Sequence, residues 1–231
     1  MSDAVHTFDN GLRVYARHLI PVQVERYAAG VNLHEPEEEA WITKLAKGLP
    51  PGRAVFVDIG AAIGYYCFLV AKARPDAELH AYEPDTDNHA RLRENAALNG
   101  GVNVTIHSEG VGPFAGQAVL VGSGFTGFLA PPNAAPGRAV PMTTIDAIAR
   151  ALGGIGLLKM DIQGGEAAAL AGAGEALKAR TIANLVVGTH SPQLHAECLA
   201  VFQRAAYRIL FESMRVQHQP DGMIVAATGK R

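Results

Sequence analysis

Cysteine is nearly absent from this chain: Cys67 and Cys198 are the two among 231 residues, and neither stands in a C-x-x-C or metal-ligand spacing. That excludes a disulfide framework and a cysteine-built zinc site, and the thiols read as core residues in a reducing compartment. Long apolar runs are missing as well, none reaching the ~20 residues of a membrane span. The start, MSDAVHTFDN, carries no basic stretch leading into an apolar block, so no secretory leader is expected and the chain reads as cytoplasmic. An excess of one charge is also lacking. Lys and Arg number 20 against 22 Asp and Glu, without a basic run, which argues against nucleic acid or a membrane surface as partner. What remains is 48% hydrophobic and 18% charged, the balance of a globular protein with a sizeable core. The length suits one domain, residues 51–231, preceded by an N-terminal segment, residues 1–50, expected to be a helical lid or cap.

The chain is organised around Arg53–Tyr66, which reads RAVFVDIGAAIGYY. A short apolar run ends in Asp58, and Gly60 and Gly64 flank a turn of small residues, the pattern of a buried strand feeding a tight loop and a helix. The spacing is G-x-x-x-G. A dinucleotide fingerprint needs glycine also where Ala62 and Tyr65 stand, so a pyrophosphate has no evident seat. An acid at the strand end suits an ammonium group instead, directly or through water, while Gly60 and Ala61 let the backbone approach a ligand closely. S-adenosylmethionine carries such an ammonium. A second strand, ELHAYE, closes on Glu83-Pro84 at the offset where a carboxylate accepts both ribose hydroxyls. After the next strand comes Glu109, placed to accept an exocyclic adenine amine or simply to be solvated.

Strands are expected at 54–59, 78–83, 102–107, 156–161 and 182–188, alternating with helices, and hence a parallel sheet covered on both faces. Two further strands, 207–211 and 223–227, follow one another across a polar stretch ending in Pro220 and must pair antiparallel. Asp161 ends the fourth strand and converges with Asp58 and Glu83 on one sheet edge. His190 follows the fifth strand, where an imidazole can take a proton from an acceptor hydroxyl or be satisfied by backbone. Asp161 and His190 are therefore the catalytic candidates. Asp161 and Glu166 offer a hard cation too few oxygens, and no metal is expected.

Two segments stand apart. Glu35–Glu39 reads as the solvated acidic start of a packing helix or, alternatively, a lid. Between Gly112 and Arg138 the helical alternation breaks: Ala118–Val121 and Phe125–Ala130 read as short strands and the Pro- and Gly-rich remainder as a long functional loop, with Phe125, Phe128 and Leu129 serving a pocket, the core or a homodimer contact.

Taken together, VFVDIGAAIGYY, YEPDTDNHARLRENAALNG and LLKMDIQGGEAAALAGA resemble the signature segments of the FkbM-type S-adenosylmethionine-dependent methyltransferases. The likeness runs from about Glu37 to Ala227. It implies a Rossmann-like class I methyltransferase fold, α/β, with a mostly parallel seven-stranded sheet closed by a C-terminal antiparallel hairpin. It also implies S-adenosylmethionine held by Asp58, Gly60, Gly64 and Glu83, and O-methylation of a hydroxyl on a small natural product or sugar. Ala62 stands where the family usually has Asn, Gln163 where it usually has Glu, and the glutamate common after the fifth strand is missing. A nicotinamide-dependent oxidoreductase and a noncatalytic cofactor-binding module are the competing readings.

Overall fold

Apolar strand runs bounded by glycine-rich turns dictate the architecture of the computed structural model, which describes residues 4–132, 136–216 and 221–229. Residues 1–3 of the N-terminal segment, residues 133–135 of the long connection and Pro220 lie outside the described residues. The chain opens with β1 (Val5–Thr7), β2 (Arg13–Tyr15), α1 (Pro21–Ala28) and α2 (Pro36–Lys47). Next come β3 (Val55–Ile59), α3 (Tyr65–Ala73), β4 (Glu78–Tyr82), α4 (Thr86–Leu98) and β5 (Thr105–His107). Four short strands follow, β6 (Gly110–Val111), β7 (Gly116–Val121), β8 (Phe128–Ala130) and β9 (Arg138–Thr143). The remainder is α5 (Ile145–Ala151), β10 (Ile155–Met160), α6 (Glu166–Ala171), α7 (Gly174–Ala179), β11 (Ile182–Thr189), α8 (Pro192–Arg204), β12 (Arg208–Ser213) and β13 (Gly222–Ala227).

The main sheet has seven strands in the order β12-β13-β11-β10-β3-β4-β5. It is mixed: β13 runs antiparallel to both its neighbours, and the other pairings are parallel. One apolar cluster, with Phe56, Ile42, Phe68 and Leu157, lies on the α2/α3 face, and a second, with Val57, Ile59, Leu158 and Phe202, fills the other. The pleat thus sends Phe56 and Asp58 to one side and Val57 and Ile59 to the other. No helix among the described residues is long and apolar enough to cross a membrane.

Two expectations need correction. The connection read as two short strands in a long loop folds into a second, four-stranded sheet, β6-β9-β7-β8, in which β7 and β8 answer to the two expected strands. In it β7 pairs with β8 and β9, and Ala118, Leu120, Val140 and Met142 form a small core of their own. The N-terminal segment, in turn, is not purely helical, since β1 and β2 form a hairpin. The Asn99 side chain clamps that hairpin to the end of α4, accepting from Arg13 N–H at 3.0 Å and donating to Arg13 C=O at 2.7 Å.

Candidate functional site

The carboxyl ends of β3, β4 and β10 meet at a cavity of about 370 Å³. Gly60 is what lets two strand ends come together. Its φ is +81°, and a Cβ there would lie 2.1 Å from the Asp161 carbonyl oxygen. Backbone bonds extend the ladder past the strand ends, with Gly60 N–H donating to Tyr82 C=O at 2.9 Å and Asp161 N–H to Ile59 C=O at 3.1 Å. The second sheet and the N-terminal segment wall the cavity, through Phe125, Phe128 and Leu129 on one side and Phe8, Tyr27 and His34 on the other.

Six of the residues singled out from sequence line this cavity: Gly60, Ala61, Glu83, Pro84, Glu109 and Asp161. Glu83 is buried, and each of its oxygens already accepts one backbone hydrogen bond, from Ala62 N–H at 2.8 Å and from Asp85 N–H at 2.7 Å. One acceptor direction per oxygen is left for a ligand. Burial, only partly offset by those two donors and by the Asn88 side-chain amide, pushes its carboxyl up to about 7.

Asp58, Gly64 and His190 do not line the cavity. Asp58 shares the parity of Phe56, so its side chain turns to the α2/α3 face, fully buried, 3.7 Å from Lys159 Nζ. It therefore holds a lysine in this structure and does not reach toward a ligand. Gly64, the residue before α3, has φ +87°, and a Cβ there would stand 2.7 Å from both Leu92 and Phe68. Its role is helix packing. His190 sits behind Asp161, its Nε2 3.3 Å from Asp161 Oδ1 and its Nδ1 3.2 Å from Glu166 Oε1. Burial opposes protonation, yet Asp161 and Glu166 outweigh it and hold the imidazole at about 10. Such a histidine is already protonated near neutral pH and cannot act as the general base expected of it.

An ionic network lies beneath the cavity floor. Lys159 lines the cavity, is buried, and lies 4.7 Å from the centre of the Tyr66 ring. Burial works against its charge, but Asp58, Asp161, Glu38 and Glu35 outweigh burial and raise it. Two of these acids respond differently. Asp58 is pushed up to about 6, because burial and the nearby Asp161 overcome the attraction of Lys159. Asp161 goes the other way, to about 2, since Lys159 and His190 overcome its burial. A lysine inside a buried strand must pair or snorkel; that much is legible in the sequence, whereas its partner Asp58 is not.

Nor is the acidic start of α2 solvated. Glu35, Glu38 and Glu39 are buried. Tyr66 OH donates to Glu35 Oε2 at 2.6 Å, and Tyr65 OH to Glu39 Oε1 at 2.7 Å. Glu39 also accepts from Asn10 Nδ2 at 2.8 Å and from His34 N–H at 2.7 Å, which fixes His34 against the cavity. Burial, with Arg26 and Lys159 nearby, lowers that imidazole to about 3, so His34 is neutral.

Ala62 has φ +46°. The left-handed region costs a residue with Cβ about 1–2 kcal/mol, and Asn tolerates it better. Ala62→Asn is expected to stabilise the fold by about 1 kcal/mol, or about 2–4 °C for a chain of this size. An unchanged or lower thermal midpoint would count against strain at this turn.

The family model of the FkbM methyltransferase domain matches residues 58–209, from the end of β3 through the turns that follow it to β10 and beyond. The chain belongs to the FkbM methyltransferase family. An FkbM methyltransferase from Methylobacillus flagellatus KT superposes with a TM-score of 0.55 at 20% identity, over 90% of this chain and 55% of that one. The present chain thus spans little more than half the length of that relative. A precorrin-6y C5,15-methyltransferase from Geobacter metallireducens GS-15 gives 0.54 at 12% identity, over 85% and 90% of the two chains. The magnesium protoporphyrin IX methyltransferase of Synechocystis PCC 6803, solved with bound S-adenosylmethionine, gives 0.53 at 13% identity, over 90% and 92%. At these identities the likeness is one of fold, the Rossmann-like mixed sheet. No curated protein matches the chain in sequence.

Proposed function

We propose that this FkbM-family chain binds S-adenosylmethionine in the cavity and directs its methyl group to a hydroxyl on a small natural product or sugar. The observation that carries the reading is Glu83: a buried carboxylate at the end of β4 with one free acceptor direction on each oxygen, facing the cavity beside the Gly60 turn. That is the arrangement two adjacent ribose hydroxyls require. The cavity volume of 370 Å³ falls in the range of about 300–1,000 Å³ typical of small-ligand sites. When bound, the sulfonium nucleoside supplies an electrophilic methyl carbon.

The residues of the chain do the rest. Glu83 anchors the sugar, and Glu109 stands where an adenine amine would be read. Asp161, an ionised carboxylate on the cavity wall, accepts a hydrogen bond from the acceptor hydroxyl and orients its oxygen. Held at about 2, it is a weak base, so alignment carries most of the rate. Effective molarities for aligned reactants reach about 10⁵ M or more. Phe125, Phe128 and Leu129 cover the acceptor and exclude water. Cys67 and Cys198 are buried free thiols, and residence in the cytoplasm belongs to the same reading.

Titration calorimetry on ligand-free protein tests it. S-adenosylmethionine and its demethylated product are each expected to give saturable heat at one site, and NADH none. Labelled S-adenosylmethionine with an extract of the source cells is then expected to label a small hydroxylated compound. Heat from NADH alone, or label confined to amines or macromolecules, would overturn the assignment.

A further inference from the structure

His190 is bracketed by acids that the sequence keeps far apart. Its Nε2 lies 3.3 Å from Asp161 Oδ1 and 3.7 Å from Asp221 Oδ1, and its Nδ1 lies 3.2 Å from Glu166 Oε1. Both ring nitrogens are enclosed, yet neither has an aligned hydrogen-bond partner among the described residues. Glu166, fully buried, accepts from Ile162 N–H at 2.9 Å and from Gly164 N–H at 3.3 Å through Oε1, while its Oε2 has no partner among the described residues. A buried, under-bonded carboxylate set against an imidazole edge is what holds a metal-bound histidine in place.

The spacing fits an ion. One ligand atom each from Asp161, His190 and Asp221 lie within 4.8 Å of one another. Bonds of about 2.1 Å put neighbouring ligand atoms about 3.0–3.4 Å apart at angles between octahedral and tetrahedral. The two edges that meet at His190 Nε2, 3.3 and 3.7 Å, need a contraction of only tenths of an ångström, and the edge between the two carboxylates lies within 4.8 Å. Gly188 leaves room for the cluster, since a Cβ there would already stand 3.5 Å from Asp161 Oδ2. The nearby cation Lys159 is taken up by Asp58.

We propose that Asp161, His190 through Nε2, and Asp221 bind one divalent first-row ion, with Glu166 accepting the Nδ1–H of His190. One imidazole nitrogen with two carboxylates favours manganese-like or zinc-like ions over magnesium or calcium. The expectation of no metal weighed Asp161, Glu166 and the Thr189-His190 pair as donors; Asp221, brought in from the C-terminal hairpin, completes the set, and Glu166 stands behind His190. The ion replaces the imidazolium proton on Nε2, so binding releases a proton. Asp161 also faces the cavity, so under the methyl-transfer reading the ion would touch the acceptor side of the same site.

Manganese(II) titrated into the full chain, with neither nucleoside nor acceptor present, tests this apart from methyl transfer. The electron paramagnetic resonance signal of free manganese is expected to report one bound ion per chain. His190→Ala and Asp221→Asn should each weaken binding at least 100-fold, and Glu166→Gln about 10–100-fold. Asp221 is partly exposed, so its variant folds even if that of His190 does not, and circular dichroism checks both. No bound manganese, or affinity unchanged by Asp221→Asn, would overturn the site and leave His190 as an imidazolium among acids.

Discussion

Replacing Lys159 by Met is expected to remove about 3–5 kcal/mol of unfolding free energy near neutral pH, the cost of leaving a buried charge without its partner. Asp58 has no other strong contact: its Oδ1 has no hydrogen-bond partner among the described residues, and its Oδ2 meets only the weak thiol donor of Cys67 at 3.9 Å. Glu35 and Glu38 are buried against the same ammonium. The pH dependence identifies the cause. A carboxyl whose folded pKa lies above its unfolded value destabilises the fold increasingly as pH rises from the unfolded pKa to the folded one, and by a constant amount above it. With Lys159 present Asp58 sits at about 6. Without the lysine it titrates higher, so the loss in the variant is largest above that value and shrinks as the medium is acidified through it. Adding Asp58→Asn to the lysine variant should recover most of the loss. Denaturant unfolding of the single and double variants across pH measures this. A single-variant loss under about 1 kcal/mol, as for an exposed pair, would show that the acids are solvated after all.

That network also marks where reading the sequence stops. The β-α-β alternation, the C-terminal hairpin, the Gly60 turn, Glu83 and Asp161 were legible because each rests on a local pattern: an apolar run, a turn, an acid at a strand end. Asp58 was legible as a strand-end acid but not in its direction, since the face it takes depends on which neighbour fills the adjacent register. Here that neighbour is Lys159, its direct partner across β3 and β10. Glu35, Glu38 and Glu39 looked like an ordinary charged helix start. Nothing local reveals that α2 carries them onto α3, where Tyr65 and Tyr66 hydroxyls await them. Of the small sheet, β7 and β8 were legible as short strands, but the sheet itself was hidden, because Gly110–Val111 and Arg138–Thr143 pair across a gap in sequence that mimics a loop. His190 was chosen for its position after β11, and its protonation follows from acids contributed by other segments. In each case the miss concerns a long-range pairing, not a local conformation.

Glu83→Gln is expected to weaken S-adenosylmethionine binding by roughly 100- to 10,000-fold, because hydrogen bonds to a charged group contribute about 1.5–3 kcal/mol each and two are lost or inverted. The Gln amide keeps one acceptor oxygen, but its NH₂ then faces either the Ala62 N–H or the Asp85 N–H. The turn loosens at the same moment as the ribose anchor. Two measurements separate these effects. Loss of anchoring alone leaves the thermal midpoint near that of the wild type, whereas a loosened turn lowers it. The second is the pH dependence of affinity. Burial holds the free carboxyl at about 7, and the ribose hydroxyls bind its ionised form. Binding is therefore linked to loss of a proton below that pH. Wild-type affinity should be flat above about 7 and fall by up to about tenfold per pH unit below it, until the lower pKa of the complex is reached. The Gln variant has no such group and should bind weakly with no limb at that pH. A wild-type profile flat through this range, or a Gln variant that binds as tightly as the parent, would remove Glu83 as the anchor and with it the observation on which the cofactor assignment rests.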